Sequence, residues 1–297
     1  MCYGRIQRSC CRRARADNRR VPPTLMDLLQ RSATWLQGKG VGNARRETEW
    51  LFADALQLSR LELYTRFDMP LEPPEVERLR AVVARRGRRE PLAYVLGNQD
   101  FRGLVLTVSP AVLVPRPETE ELVDLVLREL PTGLVRVLDV GTGSGAIALA
   151  LKHARPEWDV HATDASAEAL EVARANAQRL GIAVGFTHGH LAQHCVGPFA
   201  AVVANLPYIA EDERGLCDPE LAFEPTQALF PGGDGLSLIR ELLADAPRLL
   251  TATGALWLEH GFRQGAAIRS SAQATGLSAT SFMDSQGHER FTVVRHG

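Results

Sequence analysis

The chain has 297 residues, of which 34 are basic and 35 acidic, with 45 % apolar and 23 % charged residues overall. That length suits about two domains, the charge balance is not that of a wholly basic nucleic-acid binder, and no run of 18 apolar residues is present to span a membrane. Cys2, Cys10, Cys11, Cys195 and Cys217 are odd in number and form no Cys-x-x-Cys pair, which excludes a disulfide framework and a zinc site and makes a reducing cytoplasm the expected setting.

The first residues stand apart. Seven arginines fall among residues 1–20 against one acid, Asp17, with no hydrophobic period. Residues 1–25 are expected to be a basic extension without fixed structure, and a chain starting at Met26 is expected to keep its activity. Residues 26–90 read as a small helical domain. Leu25, Leu28, Leu29, Ser32 and Leu36 follow helical spacing behind a Thr24 cap. A second helix runs from an Asn43 cap to about Leu58, and a third carries Val76, Leu79, Val82 and Val83 after Pro73 and Pro74. Arg85, Arg86, Arg88 and Arg89 close the domain, as a solvated helix end or a patch for a partner.

Residues 91–117 read as a β-hairpin linker, from the short apolar runs at Tyr94–Gly97, Phe101–Leu104 and Val105–Val108. From 118 to 297 a helix is followed by alternating strands and helices. The strands are expected at Val135–Val140, Val160–Thr163, Val184–Thr187, Ala201–Ala204 and Ala255–Glu259, with a closing hairpin at Ala279–Met283 and Arg290–Val294. This order predicts an α/β fold, a Rossmann-like sheet of seven strands, mostly parallel with one antiparallel strand, preceded by the helical domain and the hairpin.

Gly141-Thr142-Gly143-Ser144-Gly145 joins the first of these strands to a helix. Glycines at alternate positions allow a tight turn and close approach of a ligand to the amides at the helix start. The next strand ends at Asp164, 19 residues beyond Gly145, where a carboxylate can accept both hydroxyls of a ribose. An adenosine-containing cofactor is therefore expected. Nicotinamide dinucleotides and S-adenosylmethionine both qualify, although the dinucleotide fingerprint is G-x-G-x-x-G and this turn is G-x-G-x-G. Asn205-Leu206-Pro207-Tyr208 follows the fourth strand, in the ligand crevice of a parallel sheet. The Asn205 side-chain carbonyl and the Leu206 backbone carbonyl are two acceptors suited to one NH2 group, and Tyr208 can stack on a planar substrate.

Gly141–Gly145, Asp164 and this tetrapeptide resemble class I S-adenosylmethionine-dependent methyltransferases that act on planar NH2 nitrogens. More closely, Glu90-Pro-Leu-Ala-Tyr-Val-Leu-Gly97, Phe101-Arg-Gly-Leu104, Leu113-Val-Pro-Arg-Pro-Glu-Thr-Glu120, Glu224-Pro-Thr-Gln-Ala-Leu229, Gly233-Asp-Gly-Leu236 and Asp284-Ser-Gln-Gly-His-Glu-Arg290 resemble peptide-chain release factor N5-glutamine methyltransferases. The resemblance runs from about residue 26 to 295. It implies methyl transfer from S-adenosyl-L-methionine to the side-chain amide of the glutamine in the Gly-Gly-Gln motif of a release factor, by a cytoplasmic monomer that needs no metal and binds no nucleic acid directly.

By that resemblance, Gly141, Thr142, Gly143, Ser144, Gly145, Asp164, Leu191 and Asn205 hold the cofactor. Asn205, Leu206, Pro207 and Tyr208 perform the transfer, and Phe101 with Tyr208 walls the glutamine channel. Two departures stand out. The family usually has Asn-Pro-Pro-Tyr where this chain has Leu206, and an Asp with an aromatic where it has Gly189-His190-Leu191. The Leu form also keeps an N6-adenine methyltransferase of RNA or DNA in view, and a ribosomal-protein glutamine methyltransferase is the sister reading. A nicotinamide oxidoreductase or a non-catalytic adaptor accounts less well for Asn205–Tyr208. His190 and His260 are candidate bases by chemistry alone and are expected to be structural.

Overall fold

A computed structural model describes residues 22–297. The chain divides into two compact units at Val83/Ala84. The basic stretch 1–21 lies outside the described residues, but the last residues of the expected extension do not. Thr24 caps α1 (Leu25–Gly38) by accepting from the Asp27 amide at 3.2 Å, and Leu25 is fully buried. Pro23, Thr24 and Leu25 pair by backbone with Met69–Leu71. Ordered structure thus begins ahead of Met26.

The first unit continues with α2 (Ala44–Leu56), α3 (Arg60–Thr65) and the start of α4 (Pro73–Gly87). Asn43 stands at the N-cap of α2, but its side chain makes no capping bond. Helix α3 has no counterpart among the expected elements, since six residues are too few for a visible period. Its signal was the Ser59-x-x-Glu62 capping box. The Ser59 hydroxyl accepts from the Glu62 amide at 3.2 Å, and the Glu62 carboxylate accepts from the Ser59 amide at 2.9 Å. Glu49, 3 % exposed, is held by Arg45, Arg60 and the Tyr64 hydroxyl, which offset the cost of burying its charge.

The second unit takes the end of α4 and continues with α5 (Leu92–Leu96), so Tyr94–Leu96 is helical and the hairpin proper is β1 (Asn98–Phe101) with β2 (Leu104–Thr107). Burying Tyr94 requires a partner for its hydroxyl, and the Val112 carbonyl accepts it at 2.6 Å. Of the arginines at the end of α4 and just beyond it, Arg88 is exposed, whereas Arg86 and Arg89 are neither a solvated end nor an open patch. Arg86 is 3 % exposed and binds Glu220 at 2.6 Å, and Arg89 binds Asp218 at 3.0 Å. They anchor the segment that follows Tyr208.

Then come α6 (Pro117–Glu129), β3 (Arg136–Val140), α7 (Ala146–Ala154), β4 (Asp159–Asp164), α8 (Ala167–Leu180), β5 (Gly185–His188) and β6 (Phe199–Asn205). Short 3-10 turns span Glu211–Leu216, Pro219–Phe223 and Thr226–Ala228. The chain ends with α9 (Ser237–Leu249), β7 (Leu250–Glu259), α10 (Gly265–Ala274), β8 (Leu277–Met283) and β9 (Glu289–His296). The seven strands lie in the order β5-β4-β3-β6-β7-β9-β8, with β9 antiparallel to both neighbours and the other pairs parallel.

Strand alternation feeds two cores. Val137, Ala201, Val203, Ala255 and Trp257 point to the layer that includes α6 and α7. Leu138, Val140, Val202, Ala204, Leu256 and Leu258 point to the layer that includes α9 and α10. A sheet covered on both faces has only its strand ends free for ligands. The chain winds from β3 outward to β4 on one side and returns to β6 on the other, which opens a crevice at the carboxyl ends of β3 and β6. Among the described residues, no helix is long and apolar enough to cross a membrane.

Candidate active site

The crevice holds a cleft of about 1060 Å³, open to solvent, and a second cavity of about 460 Å³. Gly141, Thr142, Gly143, Ser144, Asp164, Leu191, Asn205, Leu206 and Pro207 line the first. Asn205, Leu206, Pro207 and Tyr208 line the second. Asn205–Pro207 line both cavities, as do Leu113, Arg116 and Ala228, and together they form the partition.

The glycine turn is tied to β4. The Gly141 and Thr142 amides both donate to the Thr163 carbonyl, at 2.9 and 3.0 Å, and the Gly143 amide donates to Asp164 Oδ2 at 2.8 Å. Gly143 has φ +56°, and a Cβ added there would meet no protein atom within 4 Å, so the residue leaves its free side to the cleft. Gly145 does not line the cleft. It has φ +85° and caps α7, where a Cβ would press on Leu149 and Ala173. Its role is to let α7 seat against its neighbours.

Asp164 Oδ1 accepts from the Ser166 amide at 2.8 Å. Each carboxylate oxygen thus takes one backbone donor and keeps capacity for another. Burial pushes the Asp164 carboxyl up, against the pull of those amides. Beneath the turn, Asp139 Oδ2 accepts from the Thr142 hydroxyl at 2.6 Å and the Ala148 amide at 3.2 Å. Its Oδ1 meets no donor among the described residues, and burial pushes this carboxyl up to about 7. Asn176, fully buried on α8, donates to the Ser144 carbonyl at 3.0 Å and exchanges bonds with Thr107 of β2. It fastens the turn to the hairpin.

On the other side, Asn205 ends β6 beside Glu259, which ends β7 in register with it. The Asn205 Nδ2 donates to the Thr119 hydroxyl at 2.9 Å, and that hydroxyl donates to Glu259 Oε2 at 2.7 Å. Burial pushes the Glu259 carboxyl up to about 7. The Tyr208 phenol is also pushed up, first by burial and then by Glu259. Its backbone is held from behind, since Gln264 Nε2 donates to the Tyr208 carbonyl at 2.8 Å. Gly235, at φ +78°, brings its backbone so close that an added Cβ would lie 2.2 Å from that oxygen.

The roof of the first cleft includes Val112–Leu113, Pro115–Arg116 and Pro225, Gln227 and Ala228. Glu224 joins these segments. It accepts from the Val114 amide at 3.0 Å and pairs with Arg116.

Phe101 departs from the expected arrangement. It lines neither cavity and is fully buried among Leu104, Leu106, Leu122, Val123 and Val126. Pairing opposite Leu104 turns its ring into the core under α6. The second cavity is walled instead by Leu113, Arg116, Ile209, Leu221, Ala228 and Leu229, with Tyr208. His260 is structural. Its Nδ1 donates to the Gly261 carbonyl at 2.9 Å, its Nε2 accepts from the Thr292 hydroxyl at 2.8 Å, and burial lowers its pKa, so it stays neutral. His190 lines the first cleft and bonds Glu241 at 2.9 Å.

Thr119 and Glu259 were not among the expected site residues. Thr119 sits inside Pro115–Glu120, a stretch quoted only as a family signature. Glu259 gave a usable signal, a carboxylate ending an otherwise apolar strand in the ligand crevice.

The PrmC N-terminal domain family matches residues 27–97, and the methyltransferase small domain family matches residues 122–236. A solved methyltransferase from Pyrococcus furiosus superposes with a TM-score of 0.50 at 20 % identity, covering 65 % of this chain and 88 % of that one, which speaks for the fold alone. The chain is 39 % identical to a release factor glutamine methyltransferase of Geobacter sulfurreducens, covering 92 % of this chain and 97 % of that protein. It is 44 % identical to one of Xylella fastidiosa, covering 84 % and 93 %. Likeness of this extent, on a methyltransferase fold with both matched domains in order, shows that the chain belongs to the release factor glutamine methyltransferase family.

Proposed function

We propose that the two cavities are the two halves of one transfer site. The larger takes S-adenosyl-L-methionine. The smaller takes the glutamine of a release factor's Gly-Gly-Gln motif, whose side-chain nitrogen receives the methyl group. The observation that carries this reading is that Asn205, Leu206 and Pro207 line both cavities.

The residues of the larger cleft suit that cofactor. Gly143 leaves room where a side chain would intrude, Asp164 keeps acceptor capacity for ribose hydroxyls, and Leu191, at φ +45°, lies on the cleft wall as an apolar surface for a base. When bound, the cofactor supplies a sulfonium methyl electrophilic enough to need no metal.

The chain's own part is placement. A carboxamide nitrogen is a weak nucleophile because its lone pair is delocalised into the carbonyl. The Asn205 Oδ1 and the Leu206 carbonyl accept its two N–H groups and aim the lone pair across the partition. Both acceptors oppose the positive charge that develops on nitrogen, and both are fixed before the substrate arrives, so little reorganisation remains at the moment of transfer. Pro207 stiffens the turn that presents them. Apolar walls at Leu113, Ile209, Leu221 and Leu229 exclude water and strengthen these bonds. The change from the usual Pro to Leu206 leaves the backbone acceptor in place.

The test is to incubate the protein with labelled S-adenosyl-L-methionine and a release factor, and to locate the label by mass spectrometry. The expected product carries one methyl on the glutamine of Gly-Gly-Gln. A label found only on RNA, or on another residue of the release factor, overturns the reading.

A further inference from the structure

Beside Asn205 stand two polar side chains, Thr119, which also lines the larger cleft, and Glu259, which lines neither cavity. Thr119 and Glu259 are 4 % and 1 % exposed. They continue the hydrogen bonds of Asn205, whose Nδ2 donates to the Thr119 hydroxyl at 2.9 Å while that hydroxyl donates to Glu259 Oε2 at 2.7 Å, and the Asn205 amide also favours the ionised Glu259 directly. These bonds join the ends of β6 and β7 to the first turn of α6, segments far apart in sequence.

A primary amide is nearly symmetric in shape but not in hydrogen bonding, since one end only donates and the other only accepts. The backbone of β6 fixes where the Asn205 amide sits, not which way round it lies. A threonine hydroxyl alone does not decide, because it can donate to the carbonyl or accept from the NH2. A carboxylate can only accept. It claims the single hydroxyl proton, leaves the hydroxyl oxygen as an acceptor, and so demands the NH2 end of Asn205. The carbonyl end is then turned into the cavities. In a buried setting the reversed amide would set two acceptors against each other with no proton between them.

We propose that Glu259, acting through the Thr119 hydroxyl, is the positioning group that holds the Asn205 carbonyl toward the acceptor nitrogen. The proposal rests on the role given to Asn205 above. The charged and titratable groups facing Glu259 are Arg290, which favours its ionised form, and Glu118, which opposes it, with the Tyr208 phenol nearby. When Glu259 takes up a proton it can donate as well as accept, and the constraint on Thr119 is lost. The transfer rate therefore falls on the acid side.

The experiment measures single-turnover rates with S-adenosyl-L-methionine and a release factor for Asn205→Ala, Thr119→Val, Thr119→Ser, Glu259→Gln and the Asn205→Ala/Thr119→Val pair. Thr119→Val is expected to slow transfer at saturating cofactor by roughly 10- to 100-fold, the loss of one strong positioning hydrogen bond, while KM for the release factor stays close to the parent; cofactor affinity is measured separately by calorimetry, since Thr119 also lines the larger cleft. Thr119→Ser restores most of the rate. In the pair, Thr119→Val adds nothing to Asn205→Ala. Glu259→Gln, nearly isosteric, removes the acid limb of the pH–rate profile and carries the test should Thr119→Val not fold. A slow Asn205→Ala with a normal Thr119→Val, additive losses in the pair, or an acid limb unchanged in Glu259→Gln each overturn the relay and leave the reading of Asn205 standing. A normal rate for Asn205→Ala overturns both.

Discussion

The two halves of the site are built in opposite ways. The proposed cofactor side centres on one short piece of chain, Gly141–Ser144, tied to Asp164 of the next strand, under a roof that includes Val112, Leu113, Pro225 and Gln227. Its shape is set largely by local backbone geometry, since the Gly141, Thr142 and Gly143 amides tie the turn to β4 and Gly143 leaves open the space a ligand needs. The acceptor side draws Asn205, Thr119 and Glu259 from β6, α6 and β7, and its polarity depends on side-chain hydrogen bonds between them. On the proposed reading, binding rests mainly on local backbone geometry and transfer on tertiary placement of side chains.

The comparison breaks most visibly at Asn205. Asn205→Ala is expected to lower the single-turnover rate by roughly 10²–10³-fold, the usual cost of losing one preorganised group. Release-factor affinity should change little. A rate near the parent's, or a loss confined to cofactor affinity, would move Asn205 to the binding half.

Asp164→Ala should do the reverse. Removing an acceptor from ribose hydroxyls, and from the Gly143 amide, should weaken cofactor affinity by about 10- to 100-fold. Isothermal calorimetry with S-adenosyl-L-methionine reads this directly, and unchanged affinity would remove Asp164 from the ribose site.

A third test sets one buried carboxyl from each half side by side. Asp139 and Glu259 are both pushed up to about 7 by burial, from ordinary values of 3.8 and 4.5. Each binds its proton more tightly in the folded chain than in the unfolded one. The stability each contributes is complete below its unfolded value and is lost as pH rises toward about 7. Urea midpoints of the cofactor-free protein should therefore fall across that interval. Asp139→Asn and Glu259→Gln should each flatten the fall, and only Glu259→Gln should also alter the pH–rate profile.

The smallest effect is expected at Leu206. Asn205 lies in a strand, the backbone state that a following proline favours. Leu206→Pro keeps the backbone carbonyl and should stabilise the chain by about 0.4–1 kcal/mol through the unfolded state. Thermal unfolding and the methyl-transfer rate check this together. A large loss of rate would mean that the Leu206 side chain, which packs against Gly141, shapes the partition itself.

Much was legible before any coordinates. Strand alternation and turn residues gave the seven strands in sequence order, each within a few residues. The glycine turn, Asp164 and Asn205–Tyr208 announced the crevice because local motifs at strand ends fall there in any doubly wound sheet. The errors were also of one kind. Tyr94–Leu96 reads as extended, yet it belongs to α5 (Leu92–Leu96), whose five residues are too few to show a helical period. Phe101 was carried to the channel by its motif, whereas its pairing with Leu104 turns it into the core. Arg86 and Arg89 looked like a free basic cluster because their acids, Asp218 and Glu220, lie some 130 residues away.

By itself the sequence determined the order of elements, the apolar faces that bury both sides of the sheet, and the backbone-built half of the site. These depend on spacings of a few residues, which the chain writes directly. The tertiary structure alone decided which way the Asn205 amide lies, that Thr119 and Glu259 stand beside it, and that Glu224 and Arg116 join the roof. A hydrogen bond has direction as well as partners. Its direction across three segments is set only when the sheet brings the ends of β6 and β7 together beneath α6.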